Sequence, residues 1–144
     1  ISKESRSEVK IKHYKGIEGI WSALDDSINN PNTRYFIGSH ENLLKILGRE
    51  NFTKNYTDRR RNFNNKAYII SDQFDQPFRD YFSDPNFREI KYLPKNIKTN
   101  SSVWFYGDKI LLINLVKPYS ATIIESSEIV SLCKFMFEIV WKSL

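Results

Sequence analysis

The segment Ser101–Leu115 is the sequence feature that most constrains the fold of this chain of 144 residues. It contains two apolar runs, SSVWFY and KILLINL, with Gly107 and Asp108 between them. Glycine readily adopts the positive φ angles of tight hairpin turns, and a Gly-Asp pair between apolar runs is a strong hairpin signal. The segment therefore predicts two antiparallel strands of one sheet.

Composition indicates a globular protein with a single domain. Of the residues, 40% are hydrophobic and 15% aromatic, which excludes a disordered chain. No apolar run approaches the roughly 20 residues of a membrane-spanning helix, and no secretory leader follows the polar start. The single cysteine, Cys133, excludes an internal disulfide. We expect a cytoplasmic domain over residues 1–144, in which residues 1–8 are a linker remnant of a longer protein, since the chain begins with Ile1 rather than methionine.

Hydrophobic periodicity predicts strands that alternate with helices early in the chain and follow one another late. The predicted strands cover residues 9–14, 34–38, 67–71, 87–93 and 121–125, together with the hairpin. Helices are predicted over residues 17–28, 40–47, 52–61 and 127–141, with Ser39 capping the second one, and a loop or helical turn over residues 75–82. This order predicts an α/β fold with a mixed sheet of about seven strands flanked by helices.

The last predicted helix is apolar nearly all round, which indicates burial on more than one side. Large exposed apolar patches are rare on monomers, so something must cover this helix. Two explanations of the cover remain open. Either the sheet and neighbouring helices enclose the helix, or part of it lies in a subunit interface. Its apolar residues are Ile129, Val130, Leu132, Cys133, Phe135, Met136, Phe137, Ile139, Val140 and Trp141.

Basic residues concentrate in the middle of a chain whose net charge is +5. They are Lys54, Arg59, Arg60, Arg61 and Lys66, and only Asp58 opposes them locally. The simplest interpretation is a solvated helix end, where cations complement the helix dipole. A contact to a nucleic-acid backbone and a partner surface are the alternatives.

The chain has only two histidines, His13 and His40, so neither a zinc site nor a Cys-His nucleophile pair is expected. His13 is interpreted as an ordinary strand residue. His40 follows Ser39 at a strand-to-helix junction, and ligands of α/β sheets gather near such strand ends. No glycine-rich phosphate loop occurs, and we expect no metal and no cofactor. Gly16 and Gly19 could let backbone amides approach an anion, but close helix packing is the favoured interpretation.

Five segments together resemble the effector domain of TrmB-type transcriptional regulators, whose fold is phospholipase D-like. They are KHYKGIEGIWSALDDSI, YFIGS, TDRRRNFNNKAYIIS, WFYGDKILLIN and ATIIESSEIVSLCKFMFEIVW. Phospholipase D-type enzymes carry a His-x-Lys-x4-Asp motif at the place of the hairpin. Here Asp108 matches the aspartate, whereas Ser101 and Val103 stand where the histidine and the lysine would be. Neither can supply the nucleophile or the phosphate-binding charge, so we expect no catalytic residues and no enzyme.

The resemblance implies a non-catalytic domain that senses a ligand and pairs two subunits. Its partners would be a second copy of the chain, an unidentified small-molecule effector, and DNA through an N-terminal winged helix-turn-helix outside these residues; no membrane partner is expected. The candidate ligand contacts are Ser39, His40 and Asp108, although Asp108 is also explained as a turn residue beside Gly107. The alternatives are a basic nucleic-acid-binding fragment and a residual phosphodiesterase.

Overall fold

The computed structural model of the protein describes residues 8–63, 66–73 and 87–144. Its strands are β1 (Lys10–Lys15), β2 (Arg34–Gly38), β3 (Ala67–Ser71), β4 (Arg88–Tyr92), β5 (Ser101–Tyr106), β6 (Lys109–Asn114) and β7 (Ser120–Glu125). The α-helices are α1 (Gly16–Ile28), α2 (His40–Leu47), α3 (Arg49–Phe52), α4 (Asp58–Arg61) and α5 (Ser127–Ser143). The turn predicted over residues 75–82 and nearly all of the predicted linker lie outside the described residues.

The strands form one seven-stranded sheet in the order β1-β7-β6-β5-β2-β3-β4. Strands β2, β3 and β4 are parallel, and the other neighbours are antiparallel. This confirms the predicted α/β fold with a mixed sheet flanked by helices. The hairpin prediction is also confirmed, because β5 and β6 pair from Tyr106 and Lys109 outward and Gly107 has a φ of 59°.

Side chains alternate between the two faces of the sheet, so the two faces have separate cores. One face packs against α1 to α4 and the other packs against α5. Sheet residues of the first core include Phe36, Ile69, Trp104, Tyr106, Leu111, Ile113 and Ile123. Sheet residues of the second core include Tyr35, Ile37, Tyr68, Ile70, Phe105, Ile110 and Ile124.

The junction between β1 and α1 shows why glycines are required there. A Cβ atom at Gly19 would lie 2.8 Å from carbon atoms of Tyr14, so only glycine allows the helix to approach the strand this closely. The backbone N–H of Gly16 donates to the carbonyl oxygen of Tyr119 at 2.7 Å. The two glycines therefore serve packing and a tight turn, which is the favoured prediction.

The helical stretch after Gly48 starts earlier than predicted. Helix α3 begins at Arg49 rather than at Phe52, and a π-helical turn over Thr53–Thr57 joins it to α4. A π turn adds a residue per turn and shifts which side chains face inward. Here Tyr56, Thr57 and Arg60 are buried, and all three line the cavity described below.

Candidate functional site

The three predicted ligand contacts do not form one site. Ser39 and His40 follow the carboxyl end of β2, where Gly38 pairs with Ser102. Asp108 lies in the hairpin turn at the opposite end, where β2 begins beside Tyr106. The length of β5 therefore separates Asp108 from the other two residues.

Ser39 is occupied by structural contacts. Its side-chain oxygen accepts a hydrogen bond from the backbone N–H of Asn42 at 3.2 Å, which confirms the predicted helix cap. Its own N–H donates to the carbonyl oxygen of Ser101 at 3.1 Å. The residue is 1% exposed, so the structure assigns Ser39 to the start of α2.

Asp108 connects the hairpin turn to α5. Its backbone carbonyl oxygen accepts a hydrogen bond from the N–H of Ser126 at 2.8 Å. Of the two other positions compared with the phospholipase D motif, Ser101 is exposed at the start of β5 and Val103 packs against the second core. No described contact joins these three residues into a reaction centre.

His40 is buried between aromatic rings. It is 4% exposed, and its ring meets those of Phe36 and Phe52 edge-on at centroid distances of 5.0 and 5.9 Å. Burial, and then the charges of Arg88 and Arg60, lower the pKa of His40 to about 3. The imidazole is therefore neutral near pH 7, and it lines a cavity rather than the protein surface.

This cavity, of about 20 Å³, lies between the sheet and the helical stretch that follows Gly48. We call it the arginine cavity, because three buried guanidinium groups meet there from β2, α4 and β4. The sequence pattern did not predict this cavity. A weak signal existed, since Arg34 and Arg88 are buried first residues of the strands β2 and β4. The lining residues are Arg34, Tyr35, Phe36, His40, Phe52, Tyr56, Thr57, Arg60, Ala67, Ile69, Arg88 and Trp104.

Arg34 caps the carboxyl end of α1. One terminal nitrogen donates to the carbonyl oxygens of Ser27 and Asn30, at 2.9 and 2.7 Å. The other donates to the hydroxyl of Tyr56 at 2.9 Å. The Nε atom is buried, and it has no hydrogen-bond partner among the described residues. Most of the Arg34 guanidinium is thus committed to the fold, and Nε remains at the cavity.

Arg60 shows that the predicted solvated helix end is wrong for this residue. It is 3% exposed, and its guanidinium lies 3.7 Å from the ring centroid of Phe87. Burial lowers the pKa of Arg60 to about 9, against a raising influence of Tyr56, and the charges of Arg34 and Arg88 lower it further. Arg60 is therefore packed inside the protein and is not a solvated charge.

Two of the remaining basic residues form ion pairs with carboxylates. Arg59 pairs with Asp25 at 2.9 Å, and Lys66 pairs with Glu89 at 2.8 Å. Arg61 is exposed, and its guanidinium lies 4.1 Å from the ring centroid of Phe87. Much of the local charge is therefore used within the domain.

Helix α5 is buried along one narrow face only. Only Val130 and Phe137 of this helix are buried, which contradicts the first of the two explanations, that the sheet and neighbouring helices enclose the helix. Four large apolar residues on its outer face are more than half exposed. They are Leu132 at 58%, Phe135 at 63%, Met136 at 51% and Ile139 at 57%. We call them the α5 stripe.

An apolar cavity of about 380 Å³ lies beside the α5 stripe, between α5 and the sheet. Sheet residues such as Ile37, Val103 and Leu112 line it together with Met136 of α5. Leu112 is 38% exposed, and Ile11, which pairs with Ile124 on the same face, is 65% exposed. The uncovered apolar surface thus continues from α5 onto β6, β7 and β1.

Within residues 8–63, 66–73 and 87–144, no group of three or more His, Cys, Asp or Glu side chains could hold a metal ion. None of the helices described there has the length and apolar character needed to cross a bilayer.

No protein-family model matches this chain, and no curated protein sequence matches it significantly. Among solved structures, it is similar to TrmBL2, described as an archaeal chromatin protein with a novel mode of DNA binding. That similarity has a TM-score of 0.65 at 13% identity and covers 93% of this chain and 52% of TrmBL2. The chain therefore spans about half the length of TrmBL2.

The chain is also similar to NucT from Helicobacter pylori, with a TM-score of 0.59 at 14% identity. This match covers 94% of the chain and 98% of NucT. At such low identity the two similarities concern the fold. The chain has the α/β fold of TrmBL2 and NucT, which agrees with the fold class that the sequence predicts.

Proposed function

We propose that this chain is the non-catalytic dimerisation and ligand-sensing domain of a TrmB-like transcriptional regulator. The fold similarity to TrmBL2 supports the TrmB-like part of the proposal. The observation that carries it is the α5 stripe, because a helix that exposes several large apolar side chains on one face needs a partner in water. The occupant we assign to this face is a second copy of the chain.

The spacing of the stripe suits a helix–helix contact. Its members recur at intervals of three, one and three residues, as in the apolar seam of two packed helices. Two α5 helices that cross antiparallel about a two-fold axis near Phe135 bring Leu132 of one copy to Ile139 of the other. Such a contact is self-complementary, as a symmetric dimer requires.

Charge complementarity favours the same arrangement. Glu128 lies in the first turn of α5 and Lys142 in its last turn. The antiparallel pairing places Glu128 of one copy beside Lys142 of the other, and it also opposes the two helix dipoles. A parallel pairing would instead place like charges together.

The surface beside α5 enlarges the contact. A stable interface buries roughly 800 Å² per partner, which is more than one exposed helix face provides. The apolar cavity between α5 and the sheet adds apolar surface next to the α5 stripe. The exposed side chains of Leu112 and Ile11 add further apolar surface on the same face of the sheet. Side chains of the second copy would fill the cavity.

Dimerisation through α5 provides a route to regulation. Ile11 belongs to β1, so any domain attached before β1 emerges beside the proposed interface. A ligand that changes how the two copies pack would change the spacing of two attached DNA-binding modules. We assign DNA contact to a winged helix-turn-helix outside these residues, in line with the DNA binding named for TrmBL2.

Light scattering coupled to size-exclusion chromatography tests the proposal. We expect the wild-type chain to be a dimer at micromolar concentration, and the double variant Leu132→Ser/Phe135→Ser to be a folded monomer. Glu138→Ser, on the same helix, serves as the control and should remain dimeric. A monomeric wild type, or a double variant that stays dimeric, would contradict the proposal.

A further inference from the structure

The apolar cavity beside the α5 stripe carries an inference about the class of ligand that this domain senses. We propose that it binds a small uncharged apolar molecule, of the size of two fused aromatic rings or a chain of about ten carbon atoms. This ligand competes with the second copy of the chain. The proposal rests on the sensing role proposed above for its biological meaning, but ligand binding and dimerisation are measured separately.

The first argument is the chemistry of the lining. Each of the described residues that line the cavity has an apolar side chain or, at Cys133, a thiol. Burial raises the pKa of the Cys133 thiol, so this group is uncharged near pH 7. None of these residues offers a charged or strongly hydrogen-bonding side chain to a ligand, and desolvating a polar ligand without such partners is costly. The lining therefore selects an apolar molecule.

The second argument is the size of the cavity. Its volume of about 380 Å³ lies within the range of roughly 300–1,000 Å³ that small-molecule sites have. An apolar cavity of about 150 Å³ binds benzene. A single phenyl ring, such as that of Phe135 from the second copy, would thus occupy less than half of the space. A molecule larger than one side chain fills the cavity better than one inserted residue does.

The cavity is accessible from water without any opening of the second core. Leu112 and Met136 form part of its wall, and they are 38% and 51% exposed. The methionine side chain is flexible and polarizable, so it adapts to ligands of different shape. An apolar ligand that enters removes its own surface and that of the wall from water, which is the driving force for binding.

Met136 links ligand binding to dimerisation. Its side chain lines the cavity and also belongs to the α5 stripe. A ligand in the cavity takes the space that side chains of the second copy would enter. Two partners that exclude each other from one site weaken each other's binding by the same factor. The ligand should therefore shift the chain towards the monomer.

Fluorescence titration with the neutral probe N-phenyl-1-naphthylamine tests the apolar site, in protein dilute enough to be monomeric. We expect saturable binding of one probe per chain. Val103→Trp adds an indole ring to the wall of the cavity and should weaken binding at least tenfold. Val116→Trp makes the same change at a residue that is 50% exposed and outside the lining. It should leave the affinity unchanged.

A second variant decides the question if Val103→Trp does not fold. Met136→Glu places a carboxylate in the wall at a half-exposed position, so the fold should tolerate it while binding weakens at least tenfold. Absence of saturable binding by the wild type would overturn the proposal. Wild-type affinity in the folded wall variants, or equal weakening in Val116→Trp, would also overturn it.

Light scattering with and without the probe tests the competition. At a concentration where the wild type is a dimer, saturating probe should lower the average mass towards that of the monomer. An unchanged mass with the probe bound would overturn the competition. A dimer that binds no probe would overturn the apolar site and leave the dimer intact, whereas a monomeric wild type that binds the probe would contradict the dimer and support the site.

Discussion

The ring of Phe137 meets the ring of Tyr35 edge-on, with 5.2 Å between their centroids. Phe105 joins them, at 5.6 Å from Phe137 in the same geometry. This contact holds α5 against β2 and β5 and fixes which side of the helix faces outward. Phe135, only two residues earlier, is consequently 63% exposed. The same residue type therefore has two different roles on one helix.

The matched variants Phe137→Ala and Phe135→Ala should separate these roles. Removing the buried ring of Phe137 leaves a cavity in the second core, and we expect a loss of about 3–5 kcal/mol in the free energy of unfolding. Under conditions where the chain is monomeric, Phe135→Ala should change that free energy by less than about 0.5 kcal/mol. Urea denaturation of dilute protein measures both. Equal losses would show that the outer face of α5 is packed within the monomer.

The stability of the domain should depend on pH through His40. The native state keeps His40 neutral down to about pH 3, whereas the unfolded chain binds a proton near pH 6.5. The unfolded state thus binds more protons between these values, so stability falls as the pH is lowered. Between pH 7 and pH 5 the His40 contribution should be a loss of about 2 kcal/mol.

Urea denaturation at pH 7, 6 and 5 measures this dependence. The variant His40→Leu should lose the His40 part of the pH dependence, and its free energy of unfolding should fall about 2 kcal/mol less than that of the wild type. His13→Asn is the matched control, because His13 is exposed in β1 and bonds only to Thr122 in the contacts described. Identical pH profiles for His40→Leu and wild type would contradict the burial of His40.

Arg34 should matter more for stability than a surface arginine. Arg34→Met leaves the carbonyl oxygens of Ser27 and Asn30 without their donor, and we expect a loss of about 2–4 kcal/mol. Arg59→Met breaks only an exposed pair with Asp25 and should cost less than about 1 kcal/mol. Thermal unfolding compares the two variants. A small effect of Arg34→Met would mean that the end of α1 finds other donors.

Ser101 and Val103 stand where the catalytic motif needs a histidine and a lysine, which predicts no phosphodiesterase activity. Hydrolysis of bis(p-nitrophenyl) phosphate should not exceed the rate in buffer, and Asp108→Ala should not change it. The reason is that Ser101 and Val103 cannot provide the nucleophile and the cation that the reaction needs. Hydrolysis by the wild type that disappears in Asp108→Ala would restore the phosphodiesterase alternative.

Features set by local chemistry could be predicted from the sequence. The turn at Gly107 depends on a positive φ, and the cap at Ser39 depends on a side-chain oxygen three residues before the donor at Asn42. The hydrophobic periodicity of strands and helices likewise predicted an α/β sheet. These signals need no knowledge of distant residues, and together they gave the fold class.

Features that depend on distant contacts could not be predicted in the same way. Arg34, Arg60 and Arg88 are far apart in the chain and meet only because β2, β4 and the π turn bring them together. The apolar surface of α5 left both burial and a subunit interface open, since the sequence does not state how much of a helix its sheet covers. The structure excludes enclosure of the whole helix within one chain, because the α5 stripe is exposed.

Site-directed disulfide formation tests the antiparallel pairing of two α5 helices most directly. In a Cys133→Ser background, one chain carries Leu132→Cys and another carries Ile139→Cys, and the two are mixed and oxidised. We predict that the cross-link between positions 132 and 139 is the main product and that each variant alone gives little dimer. Absence of the mixed cross-link, or a stronger link between two copies of position 132, would contradict the account.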